Sequence, residues 1–276
     1  MATAMPGKTF VVTGATGSVG KAAATELARH GTVVLVARDK ARGEQAVADV
    51  RRASGNEAVE LALADFESLA SVRALGEELR RRHPKIDVLV NNAAVVKRER
   101  TVTKDGFETM FAVNHLAPFL LTQMLLPSLE AAAPGRVITV SAPSNVALDF
   151  GDLQGEKAFS WFKAFGASKM CNLLFSFELA KRVDPSKVIA HVVHPGLVKS
   201  SLLKEAPGFL NFLVQLVSGK PDGAAKGIAW LASAPEAVKE SGKFWKGQKQ
   251  LKAAPYAQVP ENQQRLWTES ARLVGA

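Results

Sequence analysis

The sequence contains a single cysteine, Cys171, among its 276 residues. One cysteine excludes an intramolecular disulfide bond and a cysteine-based zinc site. Histidine is also scarce, and the five histidines show no metal-ligand spacing such as that of an H-E-x-x-H helix. They are His30, His83, His115, His191 and His194. We therefore expect no metal site.

Long hydrophobic runs are absent as well. The apolar run at residues 10–12 is too short for a signal peptide or a membrane span, and the stretch 208–217 is short and contains Asn211 and Gln215. The sequence thus predicts no membrane span and a reducing, cytoplasmic location. Hydrophobic residues still make up 47% of the chain, which is enough for a large folded core.

Acidic residues are fewer than basic ones, 26 against 35, which gives a formal net charge of +9. We interpret this excess as a solvated basic surface. The arginine triplet at residues 80–82 has no aromatic residue within it to stack on bases, and no interaction with nucleic acid is expected. A basic surface does favour an anionic ligand.

Short apolar runs alternate with amphipathic helical patterns along most of the chain. Strands are predicted at residues 9–12, 32–36, 59–63, 86–90, 136–140 and 188–193. Helices are predicted at residues 21–30, 44–53, 69–82, 107–129 with an interruption at Pro118, 165–182, from 220 onward and at 263–273. Continuous apolar strands separated by helices indicate a parallel sheet buried on both faces. The predicted fold class is α/β: one Rossmann-type, doubly wound domain over residues 1–276 with a mostly parallel sheet.

A glycine-rich turn joins the first predicted strand to the first predicted helix. Glycines there let the backbone approach a pyrophosphate, and the helix amino end supplies N–H donors and a positive dipole. This position in a βαβ unit is the context in which such a turn indicates dinucleotide binding. The candidate cofactor-binding residues of the turn are Gly14, Thr16, Gly17, Ser18, Val19 and Gly20.

The end of the second strand bears on which dinucleotide is bound. The sequence there is Ala37-Arg38-Asp39, with Arg42 nearby and Lys21 after the glycine turn. A cation at this place suits a ribose 2′-phosphate through paired hydrogen bonds, so NADP(H) is favoured. Asp39 keeps NAD(H) as the alternative, because a carboxylate there can bind a 2′-hydroxyl.

Several short motifs, read together, resemble the short-chain dehydrogenase/reductase family, within its retinol-dehydrogenase-like and protochlorophyllide-reductase-like branch. The resemblance covers nearly the whole chain. The matching stretches are Ala64-Asp65-Phe66, Asn91-Asn92-Ala93-Ala94, Val113-Asn114-His115-Leu116, Val140-Ser141, Ser168-Lys169 with Asn172, and His194-Pro195-Gly196 with Ser200.

The resemblance implies a role for individual residues. Asp65, beside Phe66, would contact the adenine, and the 91–93 segment, with Asn91, Asn92 and Ala93, would line the cofactor cleft. Lys169 would hold the nicotinamide ribose, and Asn114 would fix a helix backbone and a water in a proton relay. The residues expected beside the nicotinamide are Pro195, Gly196, Val198 and Ser200. The resemblance also implies a homodimer or homotetramer.

The sequence departs from the family at the two positions that handle the proton. The family's tyrosine lies four residues before the lysine, on the same helix face, and here that position is Phe165. The assisting serine is replaced by Ala142. The one tyrosine of the chain, Tyr256, has no predicted place at the nicotinamide. The remaining candidates for the proton source are Ser144, Lys163, Lys169, His115 and a bound water.

Three functions remain open at this point. The favoured one is hydride transfer to or from an apolar small molecule by an NADP(H)-dependent oxidoreductase with a non-standard proton source. The second is non-redox catalysis, such as cyclisation or isomerisation, in a cleft lined by the aromatic segments 158–165 and 209–213. The third is a catalytically silent binding or regulatory protein.

Overall fold

The computed structural model describes residues 7–196 and 221–276 of the chain. Within these ranges eight strands form a single sheet. They are β1 Lys8–Thr13, β2 Gly31–Ala37, β3 Val59–Leu63, β4 Val88–Asn91, β5 Gly135–Val140, β6 Val188–Val193, β7 Lys243–Lys246 and β8 Lys249–Leu251. The helices of the same ranges are α1 Ser18–Ala28, α2 Lys40–Ser54, α3 Leu69–Arg82, α4 Thr109–Phe111, α5 Ala117–Glu130, α6 Trp161–Arg182, α7 Pro221–Ser233, α8 Pro255–Gln258 and α9 Pro260–Val274.

The strand order is β3-β2-β1-β4-β5-β6-β7-β8. All neighbours pair in parallel except β7 and β8, which form an antiparallel hairpin at one edge. The chain leaves β1 toward β3 and then returns to the other side of β1 with β4. The order therefore reverses between β1 and β4, which is the point where doubly wound sheets bind ligands. The predicted α/β fold class and parallel sheet are confirmed.

Helices cover both faces of the sheet, because its strands are apolar on both sides. Phe10 and Val12 of β1 pack with α1, α2 and α7, while Val11 between them packs with the core beneath α3, α5, α6 and α9. All three side chains are fully buried. The two hydrophobic cores hold the sheet rigid, so that the loops at the carboxyl ends of the strands are fixed relative to one another.

Several details differ from the sequence-based prediction. Helices α1 and α2 begin at Ser18 and Lys40, three and four residues earlier than predicted. Pro118 does not interrupt its helix, because Leu116 and Ala117 before it keep helical dihedrals and the chain continues helically into α5. The long apolar helix instead contains a π-helical turn at Ala112–Leu116. Helix α6 begins at Trp161, one turn earlier than predicted. The β7–β8 hairpin was not predicted; its strands are only four and three residues long.

One helical stretch, Thr109–Glu130, is long and apolar enough to cross a membrane by composition. Its most apolar window has a mean hydropathy of 1.3, and 83% of that window is buried inside the fold. Such burial is typical of a core helix, and this stretch packs beneath the sheet beside α3 and α6.

Candidate functional site

A cleft of about 980 Å³ opens at the carboxyl ends of the strands, across the point where the strand order reverses. It brings together most of the residues predicted from the sequence. From the glycine turn to the last parallel strand, these are Gly14, Thr16, Gly17, Ser18, Val19, Gly20, Arg38, Asp65, Phe66, Asn92, Ala93, Ala142, Phe165, Lys169, Pro195 and Gly196. Val198 and Ser200 lie outside the described residues.

The glycine turn is shaped by close backbone approaches. Gly14 has a φ of 64°, and a Cβ there would lie 2.7 Å from the Cα of Ala93. A Cβ at Gly20 would lie 2.5 Å from the Gly14 carbonyl oxygen. The side-chain amide of Asn92 donates to the Thr13 carbonyl at 2.9 Å, which ties the turn to the end of β4. Only glycine fits at these two positions, so the backbone itself forms the floor of the cleft.

Helix α1 begins where the glycine turn ends. Gly17 occupies its N-cap position without a side-chain cap, and its first turn contains no acidic residue. The positive end of the helix dipole thus faces the cleft without a carboxylate in that turn to neutralise it. This arrangement fits a phosphate group and gives an anionic cofactor a place to bind.

The end of the cleft beside β2 and β3 carries two arginines, Arg38 and Arg42. Arg38 is exposed and forms an ion pair with Glu67 at 3.1 Å. The Asp39 carboxylate accepts the backbone N–H of Arg42 at 2.8 Å and caps helix α2. Asp39 is therefore engaged by its own helix, while the guanidinium of Arg38 remains accessible. Lys21 does not line the cleft and pairs with Asp49 at 2.9 Å.

Asn91 and Asn92 point in different directions. The Asn91 side chain is buried and donates to Thr122 Oγ1 at 2.9 Å, whereas Asn92 lines the cleft. The role implied for Asn91 in lining the cleft was therefore wrong, because consecutive side chains of a strand face opposite sides. Glu67 and Lys97 also line the cleft and were not identified from the sequence, although Glu67 follows Asp65 by only two residues.

Lys169 lies at the opposite end of the cleft, on α6. Its side chain is 6% exposed, and its ammonium nitrogen lies 5.3 Å from the ring centroid of Phe165. Among the described residues the ammonium has no hydrogen-bond acceptor and no carboxylate partner. Burial without a partner lowers the pKa of Lys169 to about 8. A buried cation that faces an open cleft is suited to bind hydroxyl groups of a ligand or to release a proton.

The two serines near Lys169 are occupied by backbone groups. Ser141 Oγ donates to the carbonyl oxygen of Lys169 at 2.9 Å, and Ser144 Oγ donates to that of Gly166 at 2.8 Å. Ala142 lines the cleft between them, but Ser144 does not. The structure therefore does not bring Ser144, a predicted proton source, to the place where substrate would lie.

Asn114 sits within the π-helical turn, and its amide is fully engaged. It accepts the Val95 N–H at 2.8 Å and donates to the Val95 carbonyl at 3.0 Å and to Ser168 Oγ at 3.1 Å. Both amide hydrogens donate hydrogen bonds, so in the described residues Asn114 links the loop after β4 to helix α6. The side chain of Asn114 thus reaches both the loop after β4 and helix α6 from within the π-helical turn.

The other titratable candidates lie away from the cleft. His115 is fully buried, with one ring nitrogen 2.7 Å from Ser270 Oγ, and burial lowers its pKa to about 3. The Tyr256 hydroxyl donates to the Leu148 carbonyl at 3.3 Å. Lys163 is exposed on the first turn of α6. In the described ranges no group of three or more histidine, cysteine, aspartate or glutamate residues could hold a metal ion.

The chain matches the sequence profile of short chain dehydrogenases over residues 8–208. It is 38% identical to retinol dehydrogenase 13 from Homo sapiens over 283 aligned residues, which cover 98% of this chain and 86% of that protein. It is also 38% identical to dehydrogenase/reductase SDR family member 13 from Homo sapiens, across 98% of this chain and 74% of that protein.

Solved structures share the fold. A crystal structure of an uncharacterized protein from Mycobacterium Paratuberculosis has a TM-score of 0.79 and 27% identity, and the match covers 100% of this chain and 98% of that one. The NADP active-site complex of RhlG from Pseudomonas aeruginosa has a TM-score of 0.71 at 24% identity, over 87% and 94% of the two chains. The chain therefore belongs to the short-chain dehydrogenase family of nicotinamide-dependent oxidoreductases, in its retinol-dehydrogenase-like branch.

Proposed function

We propose that this protein is an NADP(H)-dependent oxidoreductase that transfers hydride to or from an apolar small molecule and takes the proton from a group other than tyrosine. One observation carries the proposal. The cleft combines a glycine turn shaped to bind phosphate with Lys169, which has no acceptor among the described residues, although Phe165 and Ala142 stand where the family has its proton-handling pair.

The residues that would hold the cofactor divide between the two ends of the cleft. Gly14 and Gly20 let the turn approach the pyrophosphate, and Lys169 would bind the nicotinamide ribose hydroxyls. When bound, the nicotinamide supplies the hydride. Arg38 would bind a 2′-phosphate, a task for which its planar guanidinium is suited. The capping role of Asp39 supports NADP(H) over NAD(H), because that carboxylate already accepts a helix N–H.

An apolar substrate is supported by the lining of the Lys169 end. Trp161, Phe162 and Phe165 lie there on α6, and Phe162 is 67% exposed at its surface. The relatives named as retinol dehydrogenases act, by their names, on an apolar alcohol. A cytoplasmic location and assembly as a homodimer or homotetramer stay predictions from the sequence.

The Phe165 ring also favours one alternative, a non-redox reaction on the apolar floor of the cleft. The two functions differ in what happens to the hydride. With NADPH carrying deuterium at the transferred position and all-trans-retinal as the probe, hydride transfer puts deuterium into the product. Conversion of a probe without loss of NADPH and without deuterium in the product would favour the alternative.

The first test of the proposal is a titration with NADPH and with NADH, followed by nicotinamide fluorescence. We expect NADPH to bind more tightly than NADH. Arg38→Ala should weaken NADPH binding by roughly 10- to 100-fold, which corresponds to the loss of a hydrogen bond between charged groups, and should leave NADH binding nearly unchanged. Arg29→Ala is the matched control, because Arg29 pairs with Glu26 at the end of α1 and does not line the cleft. Absence of binding by both nucleotides at millimolar concentration would refute the proposal.

A further inference from the structure

The titratable side chains of the cleft are divided between its two ends. The end beside β2 and β3 holds Arg38, Asp39, Arg42, Asp65 and Glu67. In the described part of the other end, the lining contains only Lys97, Lys169 and His194. Among the described titratable side chains, the proton donor for a substrate at that end must therefore be one of these three.

His194 does not suit the role of acid. Burial, followed by the charge of Lys246, lowers the pKa of His194, so the imidazole is neutral near pH 7. Its Nδ1 is buried and has no partner among the described residues, and its ring interacts with the backbone of Ser141. A neutral imidazole carries a single N–H, and the Ser141 backbone competes with a substrate for it.

Lys169 differs from the other two groups in its surroundings. The residue is buried, its ammonium has no acceptor in the described ranges, and the ammonium lies over the face of Phe165 where it lines the cleft. The ring lacks the hydroxyl that would otherwise stand beside the ammonium, so an N–H can be directed at a ligand. Lys97 is only partly buried, on the loop after β4, where water competes for its protons.

We propose that the Lys169 ammonium is the acid that protonates the oxygen of a carbonyl substrate, so that it replaces the missing tyrosine directly. The inference rests on the proposed function, since it needs hydride transfer at the same site. The carbonyl carbon gains the hydride, the π electron pair of the C=O bond moves to oxygen, and that oxygen takes a proton from Nζ. The neutral amine then recovers a proton from water.

The acidity of Lys169 fits this step. Desolvation brings its pKa to about 8, so the group is mostly protonated near neutral pH and gives up its proton more readily than an exposed lysine. General acids work best when their pKa lies near the working pH. Reduction requires the ammonium form, so the rate is constant below pH 8 and falls about tenfold per pH unit above it.

The titratable groups that line this end of the cleft or lie behind its lining include no carboxylate among the described residues. Lys97 comes from the loop after β4, His194 from the end of β6, and Lys246 lies behind His194 at the end of β7. Lys163 is on the exposed side of α6, and His115 is neutral in the core behind it. A titration near pH 8 that depends on Lys169 is thus separable by mutation from these groups.

The experiment compares two probes under saturating NADPH, from about pH 6 to about pH 10. All-trans-retinal needs a proton on its oxygen, whereas a cyclic iminium salt, N-methyl dihydroisoquinolinium, accepts hydride without one. We expect kcat for retinal to fall above about pH 8 and kcat for the iminium salt to stay flat. Lys169→Met should lower kcat for retinal by about 100- to 10,000-fold and kcat for the iminium salt much less.

Two control variants and a binding measurement separate loss of the acid from other causes of a lower rate. Lys163→Met, an exposed lysine on the same helix, should leave both profiles unchanged. Lys169→Arg keeps the charge but not an acidity near pH 8, and it should lose retinal reduction while it retains NADPH binding. NADPH affinity is measured for every variant, so that loss of cofactor binding, which would refute the proposed function, is distinguished from loss of the acid.

Three results would overturn the inference. One is a pH-independent rate for retinal between pH 7 and 9.5, approximately the interval in which the lysine would titrate. Another is an equal loss for both probes in Lys169→Met. The third is a wild-type protein that binds NADPH and reduces the iminium salt but never retinal, while Phe165→Tyr with Ala142→Ser reduces retinal. If neither protein transfers hydride to either probe, the proposed function fails together with the inference.

Discussion

The two ends of the cleft are built from different kinds of structural element. At the glycine turn, the shape depends on backbone atoms: the positive φ of Gly14, the close approach to Ala93 and the uncapped start of α1. At the Lys169 end, the chemistry depends on side chains, among them Phe165 and Ala142, which the sequence analysis expects to differ from the family pattern. Under the proposed function, cofactor binding and proton transfer therefore depend on different atoms, and mutations can alter them separately.

The largest expected effect comes from restoring the pair at the Lys169 end. Phe165→Tyr with Ala142→Ser returns a phenol beside the ammonium, whose charge stabilises the phenolate. General acid catalysis contributes about two to four orders of magnitude, or roughly 3 to 5 kcal/mol of barrier. Because the Lys169 ammonium already acts as the acid in the wild type, we expect the double variant to exceed the wild type in retinal reduction by less than this full factor, measured as NADPH consumption in single-turnover experiments.

The matched control for that variant is Phe177→Tyr. It adds the same hydroxyl to the same helix at a half-buried ring that does not line the cleft. It should leave the rate unchanged. If the double variant gains nothing while NADPH affinity is intact, then the pocket differs from the family in more than these two side chains, and the separation between the two ends is not as simple as the structure indicates.

A smaller effect concerns stability. The folded protein holds the Lys169 proton only to about pH 8, whereas the unfolded chain holds it to the ordinary value of 10.5. Between these values the unfolded state binds more protons, so the free energy of unfolding rises with pH. Lys169→Met should stabilise the cofactor-free protein at pH 7 by up to about 3 kcal/mol and abolish that rise.

Urea unfolding across this pH interval checks the prediction, with Lys163→Met as the control that should change nothing. An unchanged free energy of unfolding in Lys169→Met would show that the ammonium carries no such cost in the folded protein, and it would weaken the contrast drawn between the two ends.

At the glycine turn the expected effects are steric. Gly14→Ala combines a positive φ with a Cβ 2.7 Å from Ala93 Cα, so both the strain and the clash oppose it. Gly106→Ala has a φ of 83° with no atom within 4 Å, so it isolates the strain alone. We expect roughly 1 kcal/mol of lost stability for Gly106→Ala and about 2 to 3 kcal/mol for Gly14→Ala.

Gly14→Ala and Gly106→Ala also separate an effect on NADPH binding from an effect on stability. Gly14→Ala should also weaken NADPH binding, because Ala93 and the turn must separate, whereas Gly106→Ala should bind NADPH normally. Equal losses of stability in the two variants, measured by urea unfolding, would mean that the turn relaxes easily and is not a rigid floor.

The sequence was informative where short-range patterns decide the structure. Six parallel strands were located because their side chains are apolar on both faces. The β7–β8 hairpin was not located. Its one apolar pair, Phe244 and Trp245, is flanked by lysines, so the segment has no apolar run, and its partner β6 lies some fifty residues away along the chain. Short strands whose pairing is non-local carry little periodic signal of their own.

In the candidate site, too, the sequence did not predict features that depend on non-local packing. The motif around Asn91 and Asn92 located the cleft but not which of the two amides faces it, because that depends on a one-residue alternation at the strand end. The isolation of the Lys169 ammonium could not be predicted either. It depends on which side chains pack around the ammonium, and in the described part of the chain the folded structure places no carboxylate beside it.

The smallest effect tests the cofactor preference at the β2 end. Asp39 caps α2 through the Arg42 N–H, so Asp39→Ala should cost about 1 kcal/mol of stability. Asp39→Asn preserves a capping acceptor and should cost less. If the carboxylate serves only the helix, NADH affinity will be the same in wild type and Asp39→Asn, and NADPH affinity will not fall. A tenfold weaker binding of NADH by Asp39→Asn would instead identify Asp39 as a ribose ligand, and the NADP(H) preference would then have to come from Arg38 alone.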